Sequence, residues 1–298
     1  MLGLLGAAYS VIHETFQEAS GVLGYDLWSV VDEGPEDALN RTACTQPAML
    51  VAGVAVWRAW QAAGGPEPKV LAGHSLGEYT ALVCAGSLGF ADAVALTRAR
   101  GTWMQEAVPA GVGAMAAILG LDDDRIRALC CEGAGGQVVE AVNFNAPGQV
   151  VIAGHAQAVE RTVALARAAG ARRALPLPVS VPSHCRLMAA AARRLGERLR
   201  ETDLRAPHIP VVQNADGCVF EDPEDIRAAL VRQLDHPVRW VEGVQAMVAR
   251  GVRTVIECGP GRVLTGLVRR IDRGLTVCCI EDPQGLEEAL AGLTTSTG

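Results

Sequence analysis

The chain has 298 residues, half of them hydrophobic, with 26 basic and 33 acidic side chains and a net charge of −7 with histidine neutral. That apolar content excludes a chain disordered in the main, and the acidic balance without a long basic stripe excludes a nucleic-acid binder. No run reaches the roughly 18 apolar residues of a spanning helix, and the first residues lack the basic segment of a secretory signal.

In chain order, residues from about 7 to 63 carry apolar side chains at three- and four-residue steps, a helical pattern closed by Gly64, Gly65 and Pro66. A short strand over 69–72 runs straight into Gly73, His74, Ser75, Leu76 and Gly77, and helices follow to about Gly86 and over about 91–107. The stretch from Pro109 to Gly113 marks a boundary. Beyond it come a strand over 113–119 and a helix opened by Asp122, Asp123 and Asp124 at the positive end of its dipole. Strands near 138–142 and 149–153, a helix over 155–169 and a strand over 172–177 complete a β-α-β-β-α-β order, which predicts a ferredoxin-like unit. After Pro182 a helix over 187–201, strands near 210–213 and 253–258, helices over 223–234, 240–250 and 262–270, and a strand over 276–280 resume a larger α/β pattern. The expected organisation is an α/β-hydrolase-like large subdomain with a parallel sheet, from 1–110 and 182–298, carrying a ferredoxin-like small subdomain at 111–181. The nine cysteines are odd in number and scattered, with no Cys-x-x-Cys, as in buried thiols of a reducing, cytoplasmic compartment.

The segment Gly73, His74, Ser75, Leu76, Gly77 fits the G-x-S-x-G nucleophile elbow, with a strand before it and a helix after it. A serine on so tight a turn sits in strained backbone, so its neighbours are expected to be small. Its hydroxyl is presented at a helix start, where N–H groups can hold a developing oxyanion. A serine also needs a base. Of the six histidines, His13 and His155 read as surface residues of amphipathic helices, His208 and His236 lie beside prolines in loops, and His74 is locked into the elbow itself. His184, where the chain returns from the small subdomain just before a helix, is the leading candidate. No carboxylate stands out as the third member of a triad; Asp122 to Asp124 read as a helix start.

At this point the residues resemble the malonyl-CoA:acyl-carrier-protein transacylases across essentially the whole chain. The resemblance rests on the elbow continued by Glu78 and Tyr79, the run Arg100 to Ala107, and Asn143 to Gln149. It continues through Pro176 to His184, Val231 to Leu234, and Glu257 to Leu264. It implies that Ser75 is acylated, that His184 is its base, and that Arg100 pairs with the free carboxylate of malonate. It further implies that the backbone carbonyl of Gln233 orients the histidine in place of an aspartate, and that the Leu76 N–H contributes to the oxyanion hole. Asn143 and Asn145 match a motif near the family's active site, with a purely structural loop position as the competing account. No metal or redox cofactor is implied; malonyl-CoA is the substrate and an acyl carrier protein the partner, in fatty-acid synthesis, with a monomer as the family default.

Arg100 can also be read physically. On the helix over 91–107 it shares a face with Leu96, Trp103 and Met104, where a cation needs a partner, and a guanidinium can take both oxygens of a carboxylate. The competing account is a pair with an acid of the protein itself, and Arg98 points elsewhere, toward solvent. Carrier proteins of this system are acidic, so the doublets Arg172–Arg173 and Arg269–Arg270 are docking candidates, with plain solvated charge as the alternative. Family members begin with a strand and a Gly-Gln-Gly-Ser-Gln loop that supplies a second oxyanion donor. The sequence here starts in the helix after that loop, and the expectation is that the native protein carries the missing segment upstream. Rival readings are a trans-acting polyketide-type acyltransferase, a serine thioesterase, and an inactive carrier-protein binder.

Overall fold

The computed structural model describes residues 2–39, 41–179 and 181–294. By packing, the chain forms two compact units, one of Met1–Gly101, Asp203–Val212 and Met247–Gly298, the other of Thr102–Thr202 and Gln213–Ala246.

The first unit opens with helices α1 (Gly3–Ala8), α2 (Ser10–Leu23), α3 (Leu27–Asp32), α4 (Glu36–Leu39) and α5 (Thr42–Ala62). The stretch expected as continuously helical is therefore divided: Gly24 stops α2 in the left-handed region (φ 76°), which a glycine adopts at little cost, and Asp26 caps α3 through its side chain. Helix α5 is buried on nearly all sides, from Ala48 to Trp60, which is why its apolar residues show no narrow stripe. Strand β1 (Leu71–Ala72) leads through the elbow into α6 (Gly77–Cys84), and α7 (Phe90–Ala107) begins in this unit.

Strands β2 (Gly113–Leu119), β3 (Val139–Ala146), β4 (Gln149–His155) and β5 (Arg173–Pro176) form the sheet of the second unit. Its order is β3-β4-β2-β5 with antiparallel neighbours throughout. Helices α8 (Asp123–Ala134) and α9 (Ala156–Ala168) complete the ferredoxin-like β-α-β-β-α-β unit. Alternation along the strands gives the sheet two faces. Ala116, Ile118, Val150, Ile152 and Ala174 pack with Ile126 and Leu129 of α8 and Val159 and Val163 of α9. Met115, Val142, Val151 and Ala153 form a second, smaller cluster that receives Cys185. The second unit also holds a 3₁₀ turn (Arg186–Met188), α10 (Ala189–Arg200), α11 (Pro223–Asp235) and most of α12 (Trp240–Ala249).

The first unit is completed by β6 (Val211–Val212), β7 (Thr254–Cys258), α13 (Val263–Ile271), β8 (Thr276–Ile280) and α14 (Pro283–Thr294), the last of which the sequence pattern does not announce. Its strands pair in parallel, β1 with β6 and β7 with β8. Among the described residues no strand bridges these two ladders, and β7 is only half-buried along its whole length. Among the described residues no helix is long and apolar enough to cross a membrane.

Ile152 is fully buried at the centre of the larger sheet-helix cluster, whereas Leu175 on β5 is 49 % exposed. Ile152→Ala is expected to cost about 2–5 kcal/mol in denaturant unfolding, and Leu175→Ala less than about 0.5 kcal/mol; equal costs would show that the two positions are not distinguished by burial.

Candidate active site

The position of Ser75 follows from a backbone crossing. A methyl on Gly73 would lie 1.9 Å from the Gly77 carbonyl oxygen, so only glycine lets the chain turn back on itself here. At Gly77 a methyl would meet nothing within 4 Å, so the close approach is a demand on Gly73 alone and not on both neighbours as the pattern suggests. Ser75 takes φ 52°, a left-handed conformation that costs a residue with a Cβ on the order of 1 kcal/mol or more. Gly77 N–H donates to the His74 carbonyl (2.9 Å), Glu78 N–H to Ser75 (3.2 Å) and Tyr79 N–H to Leu76 (3.0 Å), which winds the turn directly into α6. Leu76, already helical at φ −55° and ψ −34°, stands at that helix start, where leading N–H groups have no acceptor within the helix.

Arg100 is 1 % exposed, the bulkiest fully buried side chain of the chain's described residues. Its Nη1 donates to Gln46 Oε1 at 2.7 Å, and its Cζ lies 5.5 Å from the centre of the Tyr79 ring. Burial pulls its pKa below the ordinary arginine value, while Tyr79 and the buried carboxyl of Glu78 pull it back up. The same burial pushes the Tyr79 hydroxyl up to about 12. Gln46, on α5, was not singled out by sequence; the signal available was a buried-side polar residue just before Pro47, at the head of the apolar run Ala48 to Trp57. Arg98 is exposed as expected, but its Nη1 also donates to the Leu23 carbonyl at 2.9 Å.

His184 is 3 % exposed and, at φ 64°, is likewise left-handed. Its Nδ1 lies 2.7 Å from the backbone carbonyl oxygen of Gln233. A carbonyl oxygen only accepts, so this contact places the proton on Nδ1 and leaves the neutral ring's lone pair on Nε2, the form a general base requires. The His184 N–H donates to the Leu234 carbonyl (3.2 Å), so ring and main chain are both held by the last turn of α11. Gln233 itself is fully buried. Burial pushes the thiol of the next residue, Cys185, up to about 12, and its Sγ lies 3.1 Å from the Pro182 carbonyl oxygen.

Asn143 and Asn145 lie on β3 and not in a loop. The strand is longer than expected because its pairing with β4 continues past bulges to Ala146 opposite Gln149, and Val238 adds a bridge on the other edge: Phe144 N–H donates to the Val238 carbonyl (3.0 Å) and Val238 N–H to Val142 (2.8 Å). Ser75, Leu76 and Arg100 belong to the first unit, and His184, Gln233, Asn143 and Asn145 to the second. Arg172, Arg173, Arg269 and Arg270 are all exposed, and Arg269 Nη2 donates to the Val277 carbonyl (2.9 Å). Of the other histidines, His155 ends β4 and accepts the Val138 N–H on Nδ1 (3.0 Å), and His236 pairs with Asp235 (2.6 Å). The His13 ring lies 4.2 Å from that of Trp28, and the main chain of His208 is bonded to Ala85.

A family model described as an acyl transferase domain matches residues 6–277. A malonyl CoA-acyl carrier protein transacylase of Escherichia coli K12 is 56 % identical over 290 residues, covering 97 % of this chain and 94 % of its own length. The solved structure of such a transacylase from Coxiella burnetii superposes with a TM-score of 0.97 at 47 % identity, covering 99 % of this chain and 93 % of that one. A type II PKS acyl-carrier protein in complex with its malonyl-transacylase matches with a TM-score of 0.97 at 54 % identity, over 98 % of this chain and 94 % of that one.

The two glycines of the elbow make a paired test. Gly73→Ala is expected to destabilise the fold by about 1–3 kcal/mol or more, while Gly77→Ala, a helical position with open space, is expected to be neutral or stabilising by up to about 1 kcal/mol. Thermal unfolding of the two variants checks this, and matched melting temperatures would contradict it.

Proposed function

The chain belongs to the acyl transferase family, among the malonyl-CoA:acyl-carrier-protein transacylases, and on that footing we propose that it carries a malonyl group from malonyl-CoA to the phosphopantetheine thiol of an acyl carrier protein in fatty-acid synthesis. Ser75 Oγ attacks the thioester carbonyl while His184 Nε2 takes its proton. The tetrahedral oxyanion is met by the Leu76 N–H at the positive end of α6, and coenzyme A leaves as the thiol with the proton returned from His184. In the second half the carrier's thiol gives its proton to His184 and attacks the malonyl ester, and Ser75 regains its hydroxyl. Acyl–sulfur and acyl–oxygen bonds are exchanged without oxidation or reduction, so the chemistry calls for no redox cofactor or metal. Ping-pong kinetics follow.

The observation that carries the malonyl assignment is Arg100, a guanidinium 1 % exposed and aimed in part by Gln46 Oε1 at 2.7 Å. A substrate carboxylate that reaches the buried guanidinium gains a charge-assisted pair that an acetyl group cannot make. Asn143 and Asn145 are assigned to substrate binding. A second reading, transfer to a type II PKS carrier, is favoured by the matched complex with such a carrier. The cytoplasm is the proposed setting, and the protein is proposed to act as a monomer.

Ser75→Ala is expected to abolish the malonyl-enzyme adduct seen by intact mass after mixing with malonyl-CoA; an undiminished adduct would place the nucleophile elsewhere. Arg100→Ala removes one partner of a buried charge pair, a loss of about 2–5 kcal/mol, and should lower kcat/KM for malonyl-CoA by roughly 30-fold or more. Acetyl-CoA should then compete, and an unchanged malonyl preference in competition assays would remove Arg100 from that role. For docking, the double reversal Arg172→Glu and Arg173→Glu, and separately Arg270→Glu, should raise the carrier-protein KM at low salt and flatten its salt dependence. Arg269 is left intact because its bond to Val277 is structural.

A further inference from the structure

The left-handed backbone at His184 is held from one side by α11; something must hold the chain as it leaves the histidine on the other. Two residues on, the Arg186 N–H donates to Glu140 Oε2 at 3.0 Å and its Nε donates to Glu140 Oε1 at 2.5 Å. One carboxylate thus takes a main-chain and a side-chain donor of the same residue. Glu140 lies on β3 between Val139 and Ala141, which face the larger cluster, so alternation puts it on the opposite face of the sheet, with Val142 and the buried Cys185. We propose that Glu140 is a positioning residue for the acyl transfer: its carboxylate clips the segment 184–186 to β3 and so keeps the His184 ring aimed.

This inference rests on the reading of His184 as the base. Three anchors then surround the strained residue: the Gln233 and Leu234 carbonyls before it, the Cys185 side chain in the sheet's smaller cluster, and the Glu140 clip after it. A residue in an unfavourable φ/ψ region persists only where its surroundings over-determine it. The first two anchors fix where the residue sits. The third stops the main chain after it from rotating back to negative φ, a movement that would swing the ring by ångströms without unfolding anything.

The test compares variants of the complete protein in a malonyl-CoA to carrier-protein assay. Glu140→Ala removes the clip, and a displacement of the ring by about 1 Å costs on the order of 10- to 100-fold in kcat, with KM for malonyl-CoA within about twofold because the clip touches no substrate. Glu140→Gln keeps an acceptor for the Arg186 N–H and should restore kcat to within a few-fold. Arg186→Pro deletes the same N–H from the other side, at the first position of the 3₁₀ turn and after a residue already extended at φ −123° and ψ 168°. It should therefore match Glu140→Ala, and the double variant should fall no further than either single one. A wild-type kcat in Glu140→Ala, additive losses in the double variant, or a Glu140→Gln as impaired as Glu140→Ala would each overturn the proposal. The control is His184→Ala: if that variant turns over at the wild-type rate, the reading of the base fails instead, whatever the clip variants do.

Discussion

Ser75 in the first unit and His184 in the second share a constraint: each holds a left-handed backbone, at φ 52° and φ 64°, that a side chain with a Cβ resists. Among the described residues Leu2 is the remaining non-glycine case. At Ser75 the conformation is forced by the backbone crossing at Gly73, which leaves the serine at the apex of a strand-to-helix turn. At His184 it is forced by bonds on either side, from α11 and from β3. The cost in each place is a few kcal/mol at most. It is offset by burial elsewhere: α5 within the elbow's own unit, and the sheet-helix core of the second unit.

The same geometry explains why a carbonyl can stand where hydrolases of this general type place a carboxylate. The last four carbonyls of a helix have no partner within it and sit at the negative end of its dipole. In α11 two of these, Gln233 and Leu234, accept from the ring and the main chain of His184. The histidine satisfies groups that would otherwise be orphaned at the helix end, and the helix end orients the histidine. A neutral acceptor also costs less to bury than an anion.

Much of this was legible in the sequence where local chemistry decides the outcome. The elbow is set by Gly73, α8 by its Asp122 cap, and the small sheet by period-two alternation between turns. What escaped was decided by partners distant in sequence. The long helical stretch at 7–63 breaks where Gly24 adopts positive φ, which periodicity alone does not register. Asn143 and Asn145 are in a strand because β3 keeps pairing with β4 past two irregularities in register, and Val238, nearly a hundred positions on, bridges its other edge. Gln46 matters only once α5 and α7 are packed, and Glu140 only once the chain after His184 returns to β3. Glu257 is a similar case: quoted as part of a motif, it accepts the N–H groups of Leu264 (2.9 Å) and Thr265 (2.6 Å) and so caps α13 from the end of β7.

A thioester-handling protein with nine cysteines faces a further difficulty, since any thiolate near the substrate would take the acyl group by thiol exchange in place of the serine. Cys185, adjacent to the proposed base, is the thiol for which this matters most. It is fully buried on the sheet's smaller cluster with its Sγ against the Pro182 carbonyl, and burial pushes it up to about 12, so it stays protonated at neutral pH. Cys130 and Cys258 are pushed to about 12 by the same cause. The packing that anchors the segment after His184 thereby also keeps the thiol beside it protonated.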